Sequence, residues 1–201
     1  AIIDAVNEFT DVEAEFTGDI PYGHPALLDL PIVIPQSEPN EAELEQISRY
    51  LIAGGFIFDI ELGLDLYREG LEKYGGLVWG RDAWVESLPD NHPIFFSYFS
   101  IAGGLPAVSL STVPGSIERG SAQPIRGLFI NDRLAGVVFK ALASQELPGT
   151  TVGGVNPFLV PQVDEEAIHQ RLERRSDPRL RQLMVNIVVY ALTQDGSIAQ
   201  R

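Results

Sequence analysis

The 201-residue sequence has no cysteine. That removes disulfides, thiolate metal sites and cysteine nucleophiles together. It leaves the compartment open, because a cysteine-free chain tolerates oxidising and reducing surroundings alike, so periplasm and cytoplasm are both compatible. Long hydrophobic runs are also missing. No stretch approaches the roughly 20 apolar residues of a membrane-spanning helix, so no membrane insertion is expected. Positive charge is scarce: 14 basic residues stand against 28 acidic ones, for a formal net charge of −14. A nucleic-acid surface needs clustered cations to displace counterions from phosphate, and this balance argues against one. Adsorption to anionic lipid is disfavoured for the same reason, and the charge reads as solubility.

Metal-binding patterns are absent too. His24, His92 and His169 lie far apart, and none sits in a short-spaced ligand motif, so no metal is expected. Gly103-Gly104 and Gly153-Gly154 do not sit in a strand–glycine–helix unit with a lysine, so they are not phosphate loops. No cofactor is implied. The chain starts at Ala1 and not at methionine. The expectation is processing, truncation or a part upstream. No signal peptide is evident, although a cleaved one leaves no trace.

With 45% hydrophobic and 21% charged residues, the chain has the balance of one globular domain spanning residues 1–201. Its organising stretch is 41–62. Leu44, Ile47, Tyr50 and Leu51 recur at helical spacing, and Gly54-Gly55 stops the helix. Phe56-Ile57-Phe58 follows as a buried strand, with Asp59 and Glu61 at its end. Asn40 caps this helix, and Glu41, Glu43 and Glu45 crowd its positive end. Upstream, residues 1–9 read as an amphipathic helix and 12–17 alternate like a strand. Residues 18–25 form a turn-rich loop. The proline-bounded run 30–35 reads as a strand covered on both faces.

Downstream, residues 62–74 have helical spacing and Gly75-Gly76 ends them. Residues 81–88 read as a short helix carrying Trp84. The turn cluster 89–93 follows, in which His92 orders the turn by hydrogen bonding, and then the aromatic run 94–99. Residues 100–120 read as irregular. Runs 125–130 and 134–140, joined by Asn131-Asp132-Arg133, suit a hairpin. Residues 141–161 read as a long surface loop, and 163–175 as a helix with acids first and arginines last. The final run is ambiguous. Leu180, Leu183, Met184, Ile187 and Ala191 keep helical spacing, while Val185, Ile187, Val188 and Val189 favour a strand. Alternating strands and helices predict an α/β fold with a mostly parallel sheet and an antiparallel hairpin towards one edge. The simplest topology is a three-layer flavodoxin-like sandwich with 56–59 as an interior parallel strand and 32–34 next to or near it.

Three collinear segments carry a family likeness: ISRYLIAGGFIFDIE (47–61), DNHPIFFSYF (90–99), and NDRLAGVVF (131–139) with the terminal VNIVVYALT (185–193). In this order and spacing, the chain from about Pro21 onward resembles the bacterial domain-of-unknown-function 4159 family. That family in turn resembles the class I glutamine-amidotransferase-like group, a flavodoxin-like α/β sandwich. The resemblance implies that VNIVVYALT is a C-terminal helix. It also implies a first strand ahead of the helix at residues 1–9, so the sheet is expected to lack one strand. Members tend to carry a glycine-containing, histidine-bearing turn after the strand matching 32–34. Here that place is Pro35-Gln36-Ser37-Glu38.

Amidotransfer of this type needs an activated cysteine, which this chain does not have. Ser37 is the serine best placed to substitute, but Glu38-Pro39 is not the glycine-flanked elbow that exposes such a nucleophile, and loop or capping duty is the plainer role. Asp59 and Glu61, two residues apart on one strand face, could act as acid and base. Equally, Glu61 could cap the next helix and Asp59 could bind backbone amides. The aromatic cluster Phe95, Phe96, Tyr98 and Phe99 reads as core or as a partner surface. The reading is a non-catalytic binding or protein-interaction module. Its ligand edge is Gln36, Ser37, Asp59 and Glu61, and its partner surface is Arg174, Arg175 and Arg179, facing another protein or a second copy. The alternative is a hydrolase or other small-molecule enzyme using Asp59 and Glu61, with Ser37.

Overall fold

The computed structural model describes residues 2–59, 62–101, 125–138 and 178–200. Its centre is a five-stranded sheet in the order β1-β2-β5-β4-β3. The strands are β1 (Ile32–Val33), β2 (Phe56–Asp59), β3 (Ala83–Ser87), β4 (Arg126–Ile130) and β5 (Arg133–Val138). β1, β2 and β5 pair in parallel, whereas β4 is antiparallel to both β5 and β3. Four of the five strands therefore run the same way, and the sheet is mixed. Its antiparallel part is wider than the single hairpin expected, because β3 joins it.

Helices pack on both faces. On one, α2 (Glu41–Ile52) and α3 (Arg68–Lys73) cover Ile57, Leu128, Ile130 and Val138. On the other, α4 (Pro178–Thr193) covers Phe56, Phe58, Leu134 and Val137, and α1 (Ile2–Phe9) packs against α4. The alternation of Phe56, Ile57 and Phe58 between the two cores is the two-residue period of a strand covered on both sides. All four residues of β2 are buried, so the expected interior parallel strand is there.

Local chemistry fixes α2 at both ends and joins it to β2. Asn40 accepts from Ala42 and Glu43 amides, and Glu43 accepts from the Asn40 amide, a reciprocal cap that starts α2. At the other end Gly54 adopts φ +101°, and a side chain there would strike the Gly196 carbonyl. Gly55 lies under the Tyr50 ring, where a Cβ would come within 2.3 Å. The Tyr50 hydroxyl then donates to the Phe56 carbonyl and accepts from its amide, both at 3.0 Å. Arg133 donates to the Gly55 and Leu51 carbonyls, tying β5 to the same junction.

Four expectations are corrected. Residues 83–87 are strand β3, not part of a helix over 81–88. Trp84 stacks flat on Phe129 of β4 (5.4 Å, 9°), and an aromatic next to a valine fits that pleated surface better than a helix. Residues 12–17 form no strand. The Asn7 side chain donates to the Ala14 carbonyl and accepts from its amide, so the backbone of Ala14 is satisfied without a neighbouring strand, and Phe16 is 71% exposed. The strand at Ile32–Val33 stays half-buried, because it is the edge of the sheet among the described residues; Ile32 meets the α4 side and Val33 the α2 side. Within 62–74, the helix divides into a 3-10 turn (Leu64–Tyr67) and α3.

The β4–β5 hairpin turns through Asn131 and Asp132, both at positive φ (46° and 66°), as a two-residue hairpin loop requires. A register shift follows at Leu128/Phe129, where Ala135 is the extra residue; it lets Leu134 and Val137 face the same core. The C-terminal ambiguity resolves as helix α4. Buried Asn186 in it accepts from the Tyr98 and Phe99 amides (3.2 and 2.7 Å) and donates to the Phe99 carbonyl (2.8 Å), clamping the aromatic run. Ranges 102–124 and 139–177, and with them the predicted loop 141–161 and helix 163–175, lie outside the described residues.

Candidate functional site

The C-terminal ends of the parallel strands form one edge. Asp59 pairs with Val138, Val138 with Arg126, and Arg126 with Ser87, so one row crosses β2, β5, β4 and β3. After β1, the chain through Gln36 and Ser37 climbs over the same edge beside β2, since Val33 pairs with Ile57. Edges of this kind are where open α/β sheets hold ligands.

Asp59 is fully buried there. By alternation it shares the face of Ile57, towards α2 and α3. Its carboxylate oxygens accept from the Leu62 amide (2.8 Å) and the Gly63 amide (2.5 Å). It thus closes the loop that leads into the 3-10 turn Leu64–Tyr67, which is the backbone-binding alternative of the two considered from the sequence. Glu61 lies outside the described residues.

Two phenols that sequence reasoning passed over complete the edge. Tyr22 is nearly buried and its hydroxyl donates to the Ser37 carbonyl (2.8 Å). Burial pushes its pKa up to about 12, and the negative charges of Glu43 and Asp59 add to this. Tyr67 is fully buried and its pKa is raised further, again by burial first and then by Tyr22, Asp59 and Tyr50. Both phenols stay protonated and neutral at any ordinary pH. The only hint of Tyr22 in the sequence was an aromatic with a polar tip inside a turn-rich loop. Tyr67 was hidden in a run with plain helical spacing. Arg126 is a third residue not singled out; its guanidinium pairs with Asp65 at 3.0 Å across the same edge.

Gln36 and Ser37 are exposed, and Gln36 reaches back to the Ile34 carbonyl. Among the described residues, no imidazole or carboxylate hydrogen-bonds the Ser37 hydroxyl, so nothing there activates it as a nucleophile. His24 and His92 each cap a 3-10 turn by accepting the amide two residues on, His92 in the way expected for it. No group of three histidine, aspartate or glutamate side chains among the described residues is arranged to hold a metal ion. No described helix is long and apolar enough to cross a membrane. Arg174 and Arg175 lie outside the described residues, and Arg179 is exposed on α4.

The profile of the family described as Domain of unknown function (DUF4159) matches residues 1–192. The chain belongs to this family. The match runs from α1 into the last turn of α4, so it takes in the first twenty residues, ahead of the likeness that begins at about Pro21. No curated protein matches the chain. In this DUF4159 chain, the sheet edge therefore has to be read from its own groups: a buried carboxylate engaged by two amides, two neutral phenols, and an exposed Arg126–Asp65 pair.

Proposed function

We propose that this chain is a non-catalytic binding or protein-interaction module on a flavodoxin-like, amidotransferase-like three-layer scaffold. Helical layers on both faces of a sheet with four co-directional strands support the scaffold. One observation carries the functional part: the carboxylate at the sheet edge already binds the Leu62 and Gly63 amides and holds its own loop. A general acid or base must be able to exchange a proton with substrate, and a carboxylate that closes a loop in this way is a poor candidate. The missing cysteine removes the nucleophile of the amidotransferase-like group. The hydrolase alternative would require Asp59 to leave those amides during turnover.

Replacing Asp59 with Asn tests this. Hydrogen bonds to a charged acceptor contribute about 1.5–3 kcal/mol each, and an asparagine keeps only one acceptor oxygen. The module reading expects a loss of about 2 kcal/mol, or roughly 4–8 °C in Tm for a chain of this length. It also expects no turnover of a panel of p-nitrophenyl esters by either protein. Ester turnover by the wild type that D59N abolishes at unchanged Tm would overturn it.

A further inference from the structure

The Tyr67 hydroxyl is buried, and no described residue hydrogen-bonds it. Leaving such a group unmet costs about 1–3 kcal/mol, and buried polar atoms in folded proteins nearly always find a protein or ordered oxygen partner. Its polar neighbours are directed elsewhere. Tyr22 gives its proton to the Ser37 carbonyl, Tyr50 exchanges bonds with both backbone groups of Phe56, and Asp59 takes the Leu62 and Gly63 amides. Tyr67 is the last residue of the 3-10 turn that follows the Asp59 loop, and Asp59 is near enough to act on its phenol.

The chemistry of the partner follows from these surroundings. An anion is repelled, since the Asp59 carboxylate bears on Tyr67. A full charge of either sign also loses its hydration in a site this buried. A hydroxyl oxygen suits the place, because it accepts from the phenol and donates onward to a carboxylate or phenol oxygen. We infer that Tyr67 anchors an internal position for one neutral hydroxyl oxygen at this edge. In the free protein that oxygen is water, and an alcohol hydroxyl of a ligand can replace it. Only the alcohol half rests on the binding reading above.

Oxygen-17 relaxation dispersion of the intact protein and of Tyr67→Phe tests the inference. Loss of one long-lived internal water in Y67F, with Tm unchanged or lower, is the expected result. An unchanged water count with a raised Tm would overturn it, since removing a truly orphaned hydroxyl stabilises. Ethylene glycol separates the two sources in the wild type: loss of the water signal shows that an alcohol reaches the position, and its persistence assigns the position to water. Neither outcome depends on ester turnover, so this inference and the non-catalytic reading fail separately.

Discussion

At His92, the ring Nδ1 accepts the Ile94 amide (3.2 Å), so the capping imidazole has an unprotonated Nδ1. The ring is half-buried, edge-on to Phe129 at 6.3 Å and tilted against Tyr190 at 5.5 Å. Burial lowers its pKa, with Glu86 on β3 pulling the other way. A histidine whose folded pKa is depressed contributes stability that is complete above its unfolded value, about 6.5, and is lost as pH falls through the folded value. The urea midpoint is therefore expected to hold between pH 8 and 7 and to fall below about 6.5. His92→Asn, which can still cap the turn, should show a shallower fall over the same range; equal slopes for the two proteins would remove His92 as the cause. His24 makes the same cap from the same dipeptide, histidine before proline, in the loop 18–25 that reads as turn-rich, although the capping role is legible only for His92.

Elements were legible where their own residues decide them. α2 announces itself through a cap, an apolar face and two glycines, and β2 through four residues that are apolar up to the final carboxylate. The hairpin is written in Asn131-Asp132. What could not be read depends on contacts between distant residues. β3 is a strand because β4 lies alongside Trp84, and residues 12–17 are not one because no described strand pairs with them. At the sheet edge, Asp59 was legible as a carboxylate ending a strand. The amides that receive it depend on a loop geometry that spacing does not encode. Asn186 is the clearest case: inside an apolar run it gave no signal, yet it joins α4 to the aromatic segment 94–99 through three hydrogen bonds. Asn186→Leu leaves two part-buried amides and a carbonyl without their partner, at about 1–3 kcal/mol each. A loss of at least about 3 kcal/mol is expected by urea denaturation, with the far-ultraviolet helix signal of the folded state kept. A loss under about 1 kcal/mol would mean the clamp contributes little.

Across the whole molecule, the acidic excess makes the basic residues informative, and five of the 14 fall within positions 171–181. The last of them has its role inside the chain. Arg181 pairs with Glu8 of α1 at 2.6 Å and lies over the Phe9 ring at 5.6 Å, fastening the two helices on one side of the sheet. Exposed ion pairs contribute little, about 0–1 kcal/mol, so this contact orients α1 more than it stabilises it. Arg174 and Arg175 can serve in the same local way, pairing with nearby acids, or can meet an acidic surface such as that of a second copy. Complementary charge of the second kind steers association and is screened by salt. The local role predicts that Arg174→Gln with Arg175→Gln leaves Tm within about 1 °C, because surface changes away from packed groups are nearly neutral. It also predicts the same sedimentation coefficient as the wild type at low and at high salt. A wild-type assembly that dissociates at raised salt, and is already absent in the double variant at low salt, would instead assign these arginines to an interface between copies of this chain.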